Sequence, residues 1–121
     1  MSIPVLIADD SAMSRKITMR ALPPGWNVEI SQACDGAEAL EACRQGKARI
    51  MFLDLTMPVM NGYQVLAMLK RERIDCLVIV VSADVQPKAV ERAMALGAAA
   101  FIKKPVKAEE IAKVLEELGV L

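Results

Sequence analysis

The sequence predicts an α/β fold, a five-stranded parallel sheet flanked by five helices, in one domain covering residues 1–121. Three observations lead there. Five short apolar runs alternate with stretches of helical period, the pattern that right-handed crossovers over a parallel sheet require. The run Leu77 to Val81 is apolar without alternation, as a strand buried on both faces reads. Finally, 121 residues that are 55% apolar and 25% charged suit a single compact domain with a core of its own.

The elements follow in chain order. Val5 to Ala8 forms the first strand, and Asp9, Asp10 or Ser11 can cap the helix behind it. In that helix Met13, Ile17 and Ala21 share the face expected to be buried, with Arg15, Lys16 and Arg20 outside it. Trp26 follows Pro23-Pro24-Gly25 as a packing residue before the second strand, Val28 to Ile30. Asp35 and Glu38 resemble a capping box at the head of a helix that buries Leu40 and Cys43. Ile50 to Leu53 is the third strand. Gly62 to Glu72 then brings Leu66 and Leu69 together, with Lys70 and Arg71 where cations suit the helix dipole. After the fourth strand, Leu77 to Val81, Pro87 fits a first helical turn, with Val90, Ala93 and Met94 behind it and Gly97 as a stop. The fifth strand is Ala99 to Ile102. The last helix buries Ile111, Val114, Leu115 and Leu118 and closes near Gly119. Aromatics are 3% of the chain, so the core must come from aliphatic side chains and the eight Met.

Composition excludes several function classes. The formal net charge is zero, and Lys103, Lys104 and Lys107 are followed by Glu109 and Glu110 without interleaved aromatics, so no nucleic-acid surface is expected. The absence of histidine removes Ser-His and Cys-His nucleophile pairs, imidazole metal ligands and a phosphohistidine role. Cys34, Cys43 and Cys76 form no C-x-x-C and read as free thiols of a reducing cytoplasm. The glycines are too scattered for a dinucleotide or P-loop motif. Asp9 and Asp10 stand where a signal peptide would be basic and apolar, and no run spans a bilayer. A cytoplasmic location without membrane insertion is the expectation.

The polar residues at the strand ends are more telling. In an open parallel sheet ligands gather at the carboxyl edge. There the first strand delivers Asp9 and Asp10, the third Asp54, the fourth Ser82 and the fifth Lys104. Each alone reads as a cap, a turn former or a solvated lysine. One sheet edge gathers them all, and the joint pattern is a site. Three carboxylates repel unless a cation sits among them, and oxygen ligands alone point to magnesium. A divalent ion beside an ammonium suits phosphate. Asp54 can then act as a carboxylate nucleophile giving an acyl phosphate, with Lys104 neutralising charge and Ser82 donating a hydrogen bond.

Ordered motifs run the length of the chain: Asp9-Asp10-Ser11 with Arg15 following, Ala33-Cys34-Asp35-Gly36-Ala37-Glu38-Ala39-Leu40, Asp54-Leu55-Thr56-Met57-Pro58-Val59-Met60-Asn61-Gly62, Ser82-Ala83, and Gly97-Ala98-Ala99-Ala100-Phe101-Ile102-Lys103-Lys104-Pro105. In these the sequence resembles the receiver domain of two-component response regulators, above all the stand-alone chemotaxis type. The resemblance implies a flavodoxin-like doubly wound sheet in the order 2-1-3-4-5 and phosphorelay signalling rather than turnover catalysis. It implies Asp54 as phosphoacceptor. Magnesium, or manganese in its place, would touch Asp10, Asp54 and the Thr56 carbonyl, with Asp9 helping through water. Lys104 matches the phosphate-binding lysine, usually followed by a cis proline bond. Ser82 and Phe101 match a coupled switch pair, and Thr56 and Asp84 the positions that tune hydrolysis. Two departures are small: Phe101 lacks the hydroxyl of a tyrosine, and Ser82 replaces the equally familiar threonine.

Implied partners are a sensor histidine kinase or phosphotransfer protein, a phosphatase, and a downstream protein meeting the fourth helix, fifth strand and fifth helix. Two rivals remain beside this reading. One is a receiver-like binding module that signals without phosphate. The other is a small phosphohydrolase of the haloacid-dehalogenase type, resembled by Leu53-Asp54-Leu55-Thr56, although Thr56 stands where such enzymes carry a second Asp. The chain suits either a complete small regulator or a receiver excised from a longer one.

Overall fold

The computed structural model describes residues 2–121. The strands are β1 (Ile3–Ala8), β2 (Val28–Ala33), β3 (Ile50–Leu53), β4 (Leu77–Ser82) and β5 (Ala100–Lys103). Between and after them run α1 (Ala12–Ala21), α2 (Gly36–Arg44), α3 (Gly62–Arg71), α4 (Pro87–Ala95) and α5 (Ala108–Glu117). The sheet order is β2-β1-β3-β4-β5 and every pair is parallel, as expected for a doubly wound fold. The register aligns the carboxyl ends: Ala8 pairs with both Ala33 and Leu53, and Ser82 with Lys103. Asp9 and Asp54 therefore leave adjacent strands at the same height.

Alternation along each strand divides the core into two layers. Leu6, Ala8, Met51, Leu53, Val78 and Val80 face α2, α3 and α4. Val5, Ile7, Ile50, Phe52, Ile79 and Val81 face the opposite way, where Ile111 and Leu115 of α5 and Met19 of α1 cover them. Trp26 packs against this second layer and its indole N–H donates to the Val120 carbonyl at 3.1 Å. No helix among the described residues is long and apolar enough to cross a membrane.

Two helical faces differ from expectation. In α1, Met13 and Ile17 are 69% and 42% exposed, and the helix instead buries Thr18 with Met19 and Ala21 partly covered. The helix is rotated so that Arg15 reaches inward, where it bonds the Asp9 carbonyl and Gln32. In α4, Met94 is 43% exposed, because the row facing the sheet is Ala89 and Ala93.

The capping details also shift. Asp35 accepts from the Glu38 N–H at 2.8 Å, but the Glu38 carboxylate returns to the Cys34 N–H, one residue before the cap. A complete capping box forms at α3 between Asn61 and Gln64, which the sequence reading did not single out. β2 runs on to Ala33, beyond its apolar run, because an edge strand can turn Glu29 and Gln32 to solvent. At Gly62 an added Cβ would lie 2.5 Å from the Asp54 carbonyl oxygen, so only glycine lets α3 approach the end of β3 this closely.

Candidate functional site

The sheet edge assembles the site from four strand ends. Asp9 directly follows β1 and is buried, and its backbone N–H donates to the Ala33 carbonyl at 3.0 Å. Its Oδ1 accepts from the Ser11 N–H at 2.9 Å, and its Oδ2 pairs with Lys104 Nζ at 2.9 Å. Asp54 directly follows β3, is buried too, and lies 3.5 Å from Lys104 Nζ through its own Oδ2. Asp10 is exposed. Asp9, Asp10 and Asp54 each offer a carboxylate oxygen, all within 4.8 Å of one another.

Lys104 is delivered by β5 and fastened by its backbone N–H to the Ser82 carbonyl at 2.9 Å. The Lys104–Pro105 peptide is cis. Ser82 is buried at the end of β4, and its Oγ accepts from the Asp84 N–H at 3.1 Å. That leaves the hydroxyl proton free to donate. Asp84 is exposed and turns its carboxylate to the Gln86 N–H. Thr56 is exposed and lines the cleft beside the acidic group. Phe101 lies half-buried, paired with Val80 two residues before the end of β4.

The electrostatics follow from burial and crowding. Burial pushes the Asp54 carboxyl above its ordinary value, Lys104 opposes this, and Asp9 adds to it. For Lys104 burial works downward, but the hydrogen bond to Asp9 and the fields of Asp54 and Asp9 outweigh it and hold the ammonium above its usual range. Three carboxylates against one lysine leave an excess of negative charge. The donor set is all oxygen, and Asp10 has no hydrogen bond or ion pair among the described residues, so its carboxylate is free to ligate. These residues fit a hard divalent cation such as magnesium.

A cleft of about 270 Å³ opens beside the site, lined by Thr56, Tyr63, Ser82, Asp84 and Arg92 among others. The Arg92 guanidinium sits 4.0 Å from the Tyr63 ring centroid, which ties α4 to α3. A larger groove of about 1080 Å³ lies at the opposite, amino end of the sheet, among Pro4, Arg49 and Leu77, remote from these charges.

Comparison with known proteins decides the family, since residues 5–116 match the response regulator receiver domain. The chain belongs to that family. This receiver domain is 35% identical over 119 residues to a protein-glutamate methylesterase/protein-glutamine glutaminase of Clostridium acetobutylicum, covering 96% of this chain and 34% of that protein. It is 34% identical over 110 residues to the probable transcriptional regulatory protein NarL of Mycobacterium tuberculosis, covering 90% and 51%. The chain thus spans about a third and about half of those two relatives. The structure of the NarL receiver domain superposes with a TM-score of 0.87 at 32% identity over 97% of this chain and 95% of that one. The Vibrio cholerae chemotaxis protein CheY4 shares the fold, with a TM-score of 0.85 at 24% identity over 100% of both chains.

The receiver domain thus brings together Asp9, Asp10, Asp54 and Lys104, places Ser82 and Thr56 beside them, and sets Asp84 and Phe101 at the periphery. Two features escaped the sequence reading. The Tyr63–Arg92 contact joins residues on successive helices, and no local spacing signals it. The inward turn of Arg15 was hidden because a charged residue early in a helix reads as solvated. Its position one turn after the Ser11 cap was the available clue.

Proposed function

We propose that residues 1–121 act as a single receiver domain whose Asp54 is phosphorylated by a histidine kinase or phosphotransfer protein in a magnesium-dependent reaction. The observation that carries this is the buried Asp54 carboxylate, 3.5 Å from Lys104 and clustered with Asp9 and Asp10. An Asp54 oxygen attacks the phosphorus of the donor. The bond from phosphorus to the donor's imidazole nitrogen breaks, and its electron pair leaves with the imidazole. Asp10, Asp54 and the Thr56 carbonyl, with Asp9 behind them, would hold magnesium, which would supply charge neutralisation for the phosphoryl oxygens. Lys104 contributes the second positive charge, transferring from Asp9 and Asp54 onto the new phosphoryl group. Ser82 has a free hydroxyl proton to donate to it. Asp84 and Thr56 line the cleft beside the site, where they tune the later hydrolysis of the acyl phosphate. The chain takes part in its own phosphorylation and dephosphorylation without being a turnover enzyme.

The output is a shift between two surfaces. A phosphoryl group is bulkier and more negative than a carboxylate and draws Ser82 and its loop inward. Phe101 then fills the vacated space, and the face made by α4, β5 and α5, with Lys103, Val106 and Lys107, changes for a downstream protein. Moving that equilibrium from mostly off to mostly on takes about 5 kcal/mol of differential stabilisation.

The test is intact-protein mass after incubation with magnesium and acetyl phosphate. One labile phosphoryl group is expected, absent without magnesium and absent from Asp54→Ala. If the mass does not change and beryllofluoride forms no complex either, the chain is a phosphate-independent binding module.

A further inference from the structure

We propose that Arg15 is a positioning residue of the acidic site, which sets its affinity for a divalent cation through the Asp9 carbonyl and is braced from the edge strand by Gln32. This rests on the reading of Asp9, Asp10 and Asp54 as the cation site. The Arg15 Nη1 donates to the Asp9 carbonyl oxygen at 2.7 Å, and its Nε donates to Gln32 Oε1 at 2.8 Å. The other polar groups of Asp9 are engaged as well: its N–H by Ala33, its Oδ1 by Ser11 and its Oδ2 by Lys104. Arg15 completes the set.

The Asp9 carbonyl shares one planar peptide unit with the Asp10 N–H. Holding that carbonyl therefore fixes the plane from which Asp10 projects. Asp10 needs such help, because its carboxylate is exposed and has no tether of its own among the described residues. A guanidinium meets the two acceptors from separate nitrogens of one rigid fork, whereas a lysine would have to reach both from a single atom on a flexible stem. Gln32 stands on β2 and reaches the site through Arg15, so the outermost strand braces the cation pocket without contributing a ligand.

Charge and position predict opposite results. A nearby cation repels a divalent ion, so if Arg15 acted by charge alone its removal would tighten binding. If it acts by position, removal loosens binding, in the manner of residues that orient metal ligands from behind, where losses of about tenfold or more are usual. The measurement is Mn²⁺ affinity of the whole chain, from the free-ion paramagnetic resonance signal, with urea stability measured alongside. Arg15→Ala is expected to weaken binding about tenfold and Arg15→Lys to weaken it too. Gln32→Ala should weaken it by a smaller factor in the same direction, and the Arg15→Ala/Gln32→Ala pair should bind as Arg15→Ala alone does. A merely structural role would lower urea stability and leave the affinity of the folded chain unchanged. Unchanged or tighter binding by Arg15→Ala overturns the proposal. Should that variant not fold, unchanged affinity in both Arg15→Lys and Gln32→Ala overturns it equally. Binding by the unaltered chain that is lost in Asp10→Asn secures the site itself. No binding by the unaltered chain removes the site reading and this proposal with it.

Discussion

Asp9, Ser82 and Lys104 around Asp54 are pinned, whereas α4 and Phe101 beside them rest lightly. Asp9 has each of its polar groups held, Gly62 lets α3 close against the Asp54 carbonyl, and a full capping box fixes the start of α3. Across the site, α4 buries Ala89 and Ala93, its Gln86 cap makes no side-chain bond, and Phe101 stays half-buried. Each alanine methyl is worth well under what Ile111 or Leu115 gives α5, about 2–3 kcal/mol per side chain. The Arg92–Tyr63 contact adds roughly 0.5–1 kcal/mol. The difference teaches that one domain can separate two demands. Chemistry needs groups organised before the donor arrives. Switching needs an element whose displacement costs less than phosphorylation supplies.

The sharpest break of this contrast comes from two substitutions only three residues apart, one of the pinned Lys104 and one of the half-buried Phe101. Lys104→Ala should slow phosphoryl uptake from acetyl phosphate by about 10²–10³-fold, the usual cost of removing a group that stabilises developing charge. Phe101→Ala should leave uptake nearly unchanged and abolish the change in the α4–β5–α5 face, read by amide exchange with and without beryllofluoride. Equal losses of uptake in both variants would erase the distinction.

Stability gives a smaller contrast. Leu115→Ala should cost about 2–5 kcal/mol in urea unfolding, because a fully buried side chain leaves a cavity under α5. Ala93→Gly, in the last turn of α4, should cost only about 1 kcal/mol, mostly helix propensity. Smaller again is Arg92→Ala, expected to cost roughly 0.5–1 kcal/mol and to speed amide exchange in α4 while leaving α2 as it was.

The smallest effect is a pH slope in the metal-free protein. Asp54 holds its proton more tightly folded than unfolded, so between the ordinary carboxylate range and its raised value the native state binds more protons. Stability should therefore fall as pH rises through that window, and Asp54→Asn should flatten the slope. Lys104 works at the alkaline end: its contribution is complete below the ordinary lysine range and is lost as pH rises through its raised value. Urea midpoints across pH check both, and a slope that survives in Asp54→Asn would assign it elsewhere.

The pinned residues were the more legible ones. Asp9, Asp54, Ser82 and Lys104 each lie at or just past the end of an apolar run, so the parallel sheet implied by alternating strands and helices placed them on one edge. The strand order came from the resemblance, since apolar runs do not say which strands are neighbours. What stayed hidden depended on helix rotation. Met13 and Ile17 have the spacing of a buried face, yet Arg15 is the residue that turns inward, because a carbonyl and a glutamine side chain await it there. For α4 the apolar Met94 looked like core, and the smaller alanines beside it took the contact. Periodicity counts apolar side chains; it does not weigh a hydrogen bond that rotates a helix.

The Asp9–Lys104 pair joins residues 95 positions apart, and this sets an order in time. At roughly 5–20 residues per second, the ribosome makes the carboxylates several seconds before their ammonium. A chain halted between Asp54 and β5 carries Asp9, Asp10 and Asp54 without the Lys104 that follows that strand to balance them. On the proposed function, such a product lacks one of the two positive charges that receive the phosphoryl group, and competence arrives only with the last strand.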